Sequence, residues 1–303
     1  MSVQALIRTN GKWLGAMVMV FVLRMAAAGH THADTLPALQ DSLVKLGYEM
    51  YNNPAEPERM AANFAFVKTL VAALNTPHSY DFAFDSLDMV SLLHAPDGKF
   101  RIFSWHLPLN DGSYLYYGAI QLRTADGSLA LFPLLDKTYE IDGPDDAILA
   151  NTEWYGAQYY RIIPFGTDYV LLGWKGHTPE LNQKVIEVLQ LTDTGPMLGK
   201  KVFRSAATEG AARLIYRFSR QATMYLEYDE PQNRIVMDHL SPSDERFRGQ
   251  YQYYGPDMSH DAWLIQGEEL VLHADILLHN PPEDRDGNFN DPKRPTSHPR
   301  SGF

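Results

Sequence analysis

From about residue 82 the chain is cut into short runs rich in aromatic and branched residues, separated by turn dipeptides. No other feature constrains the fold as much. "MVSLLHAP" and "KFRIFSW" flank Asp97-Gly98, while "SYLYYGAIQLRTA" and "SLALFPLL" flank Asp126-Gly127. An Asp-Gly pair tolerates the positive φ of a tight hairpin turn, so each predicts two antiparallel strands. "YYRIIPFGTDYVLLGW", "KVIEVLQLTDTGPMLGKKVF", "LIYRFSRQATMYLEYDEPQNRIVMDHL" and "AWLIQGEELVLHADILL" continue the pattern. The 303 residues contain no cysteine, so no disulfide can hold these strands together. Burial of apolar faces must do so, and about 245 residues between the two ends suffice for one large core or two small ones.

The runs overlay on one another. Residues 91–105 lie on 160–174 without a gap, both ending in Trp, and Gln121-Leu122 and Gln190-Leu191 follow at equal distances. A third unit places Tyr228 at the Trp position. The expectation is a mainly β protein of repeated antiparallel meanders and hairpins over 79–279, built as a small propeller, a sandwich or a barrel. Strand alternation groups Arg101, Phe103 and Trp105, then Val170, Leu172 and Trp174, then Met224, Leu226 and Tyr228. Eight of these nine are apolar, so Trp105 and Trp174 are expected in the core, not on a sugar-stacking platform.

Residues 34–78 carry helical spacing instead. Leu36, Leu39, Leu43, Leu46 and Met50 form one stripe, "NNPAEP" interrupts it, and Met60, Phe64, Val67, Val71 and Leu74 form a second. Both stripes are expected to pack on the β body.

The ends have their own character. Residues 1–33 hold Arg8, Lys12 and Arg24 with no acid, a ten-residue apolar run over 14–23, and Thr31-His32-Ala33 ahead of Asp34. That order predicts a cleaved export signal, and the run is too short to cross a bilayer as a helix. The rival reading is an uncleaved anchor flanked by Arg24. The expected location is the periplasm or the exterior, with no transmembrane span in the mature chain. Residues 280–303 are polar, with five prolines, and read as a disordered tail. The whole chain carries 26 basic against 37 acidic residues, a formal net charge of −11, and losing the leader cations raises the acidic excess by three. Such a surface repels phosphate backbones, so no nucleic-acid partner is expected.

Several segments, in this order, resemble a family of uncharacterised exported bacterial proteins. They are "FDSLDMVSLL", "FRIFSWHLPLNDGSYLYYGAIQ", "YYRIIPF", "LLGWKG", "MDHLSP" and "GQYQYYGPD". The resemblance spans most of the chain before the tail and implies export and a mostly β body. It implies no activity, cofactor or catalytic residue.

Chemistry-bearing motifs are scarce. GxSxG, HExxH and GxxxxGK[ST] are all missing, and "GPMLGKK" is one residue short of a phosphate loop. No cofactor is expected. In "DRDGNFND", Asp284, Asp286, Asn288 and Asn290 alternate like calcium ligands, but Phe289 and Pro295 occupy the positions that need Gly and Glu. No metal is expected there. The richest stretch is 236–263, with Asp238-His239, His260-Asp261 and a run of tyrosines. Asp238, His239, His260 and Asp261 are the catalytic candidates, and Tyr251, Tyr253, Tyr254 and Asp257 the binding candidates. Neighbours on a strand point to opposite faces, so at most one residue of each Asp/His pair can face a given site. The stretch therefore reads first as a structural connection between strands. The functional expectation is a non-catalytic binding or scaffold protein for an envelope or extracellular ligand. The alternative is a hydrolase of an envelope or dietary polymer, working through residues 238–261.

Overall fold

The computed structural model describes residues 35–278; the leader, the tail and its calcium-like loop at Asp284, Asp286, Asn288 and Asn290 lie outside that range. Two helices come first, α1 (Leu36–Asn52) and α2 (Glu56–Leu74), each with a proline in its first turn. There the missing N–H costs nothing. Asn53 and Pro54 end α1 and reverse the chain. No helix among the described residues is long and apolar enough to cross a membrane.

The rest is mainly antiparallel β, in three sheets. The first is the meander β1 (Ser91–His94), β2 (Phe100–Pro108), β3 (Tyr114–Leu122) and β4 (Ala130–Leu135). Gly98 and Gly127, at φ +70° and +73°, make its two Asp-Gly turns. The second runs in the order β5 (Leu149–Ala150), β9 (Gly195–Leu198), β8 (Leu181–Thr192), β7 (Asp168–Gly176), β6 (Gln158–Phe165). In that sheet β11 (Arg213–Ser219) pairs with the first half of β8, alongside β9. The third places β10 (Phe203–Arg204), in parallel, outside a meander of β15 (Glu269–His273), β14 (Tyr254–Gln266), β13 (Arg234–Pro242) and β12 (Leu226–Asp229).

Three apolar cores make these elements a stack of four layers. Phe103, Trp105 and Leu107 of β2 pack against Phe66 and Leu70 of α2 and Leu43 and Met50 of α1. The opposite face, with Phe100, Ile102 and Ile120, meets Leu171, Val185 and Leu189 of the second sheet. Val170, Leu172 and Ile186 on the far side of that sheet meet Ile235, Met237 and Trp263 of the third. The middle sheet is thus covered on both faces, which explains why the middle of β7, Tyr169 to Trp174, reads as an unbroken apolar run. Of the three expected arrangements, the observed one is face-to-face stacking, and no sheet among the described residues closes into a barrel.

Three expectations need correction. "LIYRFS" does not open the third meander: as β11 it completes the second sheet. The stripe expected on α2 is only partly right: Leu74 is buried and Val67 packs on the core, but the other three members are not. Met60, Phe64 and Val71 face solvent, Phe64 with 61% of its surface exposed, while Arg59, Ala62, Asn63, Phe66, Leu70 and Ala73 are buried. The buried face was hidden by its two polar members, which are fully bonded. Arg59 donates to the carbonyls of Asn53 (3.0 Å), Pro54 (3.2 Å) and Pro108 (3.2 Å) and to Asn110 Oδ1 (2.8 Å), and Asn63 Oδ1 accepts from Trp105 Nε1 at 2.8 Å. Finally, Trp105 is core, but Trp174 is only half-buried. It pairs with Gln158, the first residue of β6, so β6 does not extend past it, and the ring meets His106 and Tyr114 of the first sheet.

Candidate functional site

Strands β13 and β14 form the long hairpin that carries the candidate residues, and its register decides what they do. Asp238 stands opposite His260, and pairing resumes only at Leu240 opposite Pro256. One residue of β13, His239, is therefore matched by three of β14, 257–259. The excess bulges outward with Met258 at φ +74° and 93% exposed. A left-handed conformation at a non-glycine residue is strained, and it persists because the paired strands on either side fix it.

The bulge lets side chains pair across the strands and not along them. His239 Nδ1 donates to Asp261 Oδ2 at 2.8 Å, on the face that also carries Met237 and Trp263. On the opposite face His260 Nε2 lies 3.3 Å from Asp238 Oδ1. Alternation along each strand thus separates the two Asp/His neighbours as expected. The cross-strand partners could not be read without the register.

The carboxylates are heavily committed. Asp261 Oδ1 accepts from the Asp275 amide (2.9 Å), and Asp238 Oδ2 accepts from the Tyr225 amide (2.7 Å). Asp257 Oδ1 accepts from both the amide (3.0 Å) and the hydroxyl (2.7 Å) of Ser259, which hold its carboxyl below the usual range, with Ser241 as a further partner. His239 is raised above the ordinary histidine value, first by its bond to Asp261 and then by the nearby charges of Asp257 and Asp275. Its side chain is 48% exposed. With Nδ1 spent on Asp261, Nε2 is left as a solvent-facing base, the arrangement of an oriented imidazole. The nearby hydroxyls of Ser241 and Ser259 bond to Asp257. Asp238 and Asp261 lie on opposite faces of the sheet, so they cannot flank one glycosidic bond as paired carboxylates do.

The hairpin tip is aromatic. Between β13 and β14 two single 3-10 turns, Glu245–Phe247 and Tyr251–Tyr253, stack Phe247 on Tyr253 with centroids 4.1 Å apart. Tyr251 packs at 5.1 Å from Tyr254, whose hydroxyl accepts from the Gly249 amide at 2.9 Å. Tyr251 and Tyr253 are exposed, and Arg217 of β11 lies 5.9 Å from the Tyr251 ring centre. Three of the four binding candidates, Tyr251, Tyr253 and Tyr254, therefore share this tip. Asp257 stays with the histidine dyad at the bulge.

Two shallow depressions lie elsewhere. One of about 300 Å³ is bordered by Asp145, Asp146, Thr208, Glu209, Arg213 and Tyr216, the other of about 250 Å³ by Asp97, Lys99, Asp168 and Tyr169. Neither is lined by the dyads. Among the described residues no three His, Asp or Glu side chains are arranged to hold a metal ion. No protein-family model matches the chain, and neither does any curated protein or solved structure.

Proposed function

We propose that this is an exported, non-catalytic binding protein of the cell envelope, which engages a polymeric ligand through the aromatic tip of the β13–β14 hairpin. The observation that carries this reading is the contrast within one hairpin. Its acids are consumed by internal hydrogen bonds, while Tyr251 and Tyr253 stay partly exposed on a tip stiffened by stacking. Rigid, amphipathic tyrosines supply contact area at little entropic cost, and loops held by a sheet are common places for recognition. Export is part of the proposal. It is supported by the order of charge, apolar run and small residues over 1–33 and by the resemblance to exported proteins.

Co-sedimentation with isolated cell-wall sacculi and with insoluble polysaccharides tests the binding. The wild type is expected in the pellet and a Tyr251→Ala/Tyr253→Ala variant in the supernatant, both equally folded. Equal pelleting of the two sinks the assignment to the tip. Export is checked by N-terminal sequencing from an exporting host, where the chain is expected to begin near Asp34.

The exposed Nε2 of His239 favours a second reading, hydrolysis of such a polymer by water activated at that nitrogen. Release of soluble fragments by the wild type, abolished by His239→Gln, would establish it in place of the first.

A further inference from the structure

A run of rings crosses one end of the helix layer and the first two sheets. Tyr51, at the end of α1, stands edge-on to His106 of β2 with centroids 5.4 Å apart. His106 in turn meets Tyr114 of β3 and Trp174 of β7, each at 5.1 Å. Beyond them Tyr139, 72% exposed, stacks on His177 at 6.1 Å and 19°. Gly176 joins the two halves, for a Cβ there would lie 2.3 Å from the Tyr114 ring, so no other residue lets β7 approach.

Polar atoms along this run are unspent. His177 Nδ1 is buried and has no hydrogen-bond partner, whereas Tyr51 Oη lies against the His106 backbone. Trp105, Trp154 and Trp263 donate their indole N–H to Asn63, Tyr159 and Tyr216, whereas half-buried Trp174 has no acceptor among the described residues. Buried polar atoms are nearly always satisfied, and each exception calls for a partner outside the chain.

The charges around the run are already occupied. Lys175 donates to Tyr155 O, Gly156 O and Thr138 Oγ1, all within 2.8 Å, and Arg220 to Gly112 O (2.6 Å), Thr178 O (3.2 Å) and Tyr114 Oη (2.7 Å). Burial and the neighbouring Lys175 and Arg217 push His177 down to about 4, so its ring is neutral at physiological pH.

Flat apolar faces, an unpaired indole N–H and no free cation describe a surface for a neutral, polyhydroxylated ring. We propose that the Tyr51–His106–Trp174–His177–Tyr139 band is a second binding site, for an uncharged oligosaccharide. Sugar C–H faces pack on Tyr139 and on the exposed part of Trp174, and a hydroxyl bonds to Trp174 Nε1. The site shares no residue with the hairpin tip and does not depend on it.

The test is titration of the full chain with cellohexaose, maltohexaose and chitohexaose, read by tryptophan fluorescence and calorimetry. Saturable binding of at least one is expected. Tyr139→Ala should weaken it by about tenfold or more. Trp174→Phe, which keeps an aromatic face but loses the N–H and part of the ring, should weaken it measurably, with both variants still folded by circular dichroism. Tyr251→Ala/Tyr253→Ala should bind the hexasaccharide normally, which separates failure at this site from failure at the tip. The proposal is overturned if no hexasaccharide binds at millimolar concentration, or if binding survives both band variants. It is equally overturned if only charged sugars bind.

Discussion

Arg213 and Glu187 face each other across β11 and β8, Nε to Oε2 at 2.6 Å, with both side chains wholly withdrawn from solvent. Tyr159 donates its hydroxyl to the other oxygen of Glu187, and Trp154 Nε1 donates to Tyr159 Oη at 2.8 Å. The remaining guanidinium nitrogens of Arg213 reach the carbonyls of Pro144 (2.5 Å), Ala147 (3.3 Å) and Leu198 (3.3 Å). The pair ties β11 into the middle sheet and anchors the segment before β5. Removing one partner leaves an unpaired buried charge, so Arg213→Met or Glu187→Met should each cost about 3–5 kcal/mol. The double variant should recover much of that loss. Chemical denaturation of the four proteins checks it, and additive losses would show that the pair is not a unit.

The two tryptophans of the overlaid strands should respond differently. Trp105 is buried against Phe66 and bonded to Asn63. Its truncation to alanine should cost about 3–5 kcal/mol. Trp174→Ala should cost less, because its ring is partly exposed already. Thermal melts of both variants decide the order.

On α2, the buried and exposed faces make opposite forecasts for two phenylalanines two residues apart. Phe66→Ala should destabilise by about 3–5 kcal/mol. Phe64→Ser, on the solvent face, should stay within about 0.5 kcal/mol of the wild type. A large loss at Phe64 would mean that something covers this face in solution.

His239 should make stability depend on pH with a definite sign. Its folded value is raised by Asp261, so protonation favours the folded state. The contribution is fully present below the unfolded value of about 6.5 and disappears as pH rises through the higher folded value. The stability difference between wild type and His239→Gln should therefore be larger near pH 5 (about 1.5 units below that unfolded value) than near pH 8 (about 1.5 units above it). Exposure of the ring keeps the effect modest. Urea midpoints across that range check it, and a difference that grows with pH would reverse the assignment.

Local features are legible in the residue pattern: the antiparallel strands, the turns at Gly98 and Gly127, the two helices, and the interruption at 52–57. These depend on residue period and on φ, which neighbours along the chain decide. The same alternation rule showed that Asp238 and His239 cannot share a face. Only the tertiary structure decided which partners meet. His239 reaches Asp261 through a bulge that no periodicity signals, and β11 joins β8 across some 26 residues of chain. It also decided which stripe of α2 is buried. Arg59 and Asn63 count as polar in any sequence pattern, yet Pro108, Asn110 and Trp105, all far along the chain, satisfy them inside the core. A buried polar residue is legible only once its distant partner is in place, because burial without that partner would cost more than packing returns.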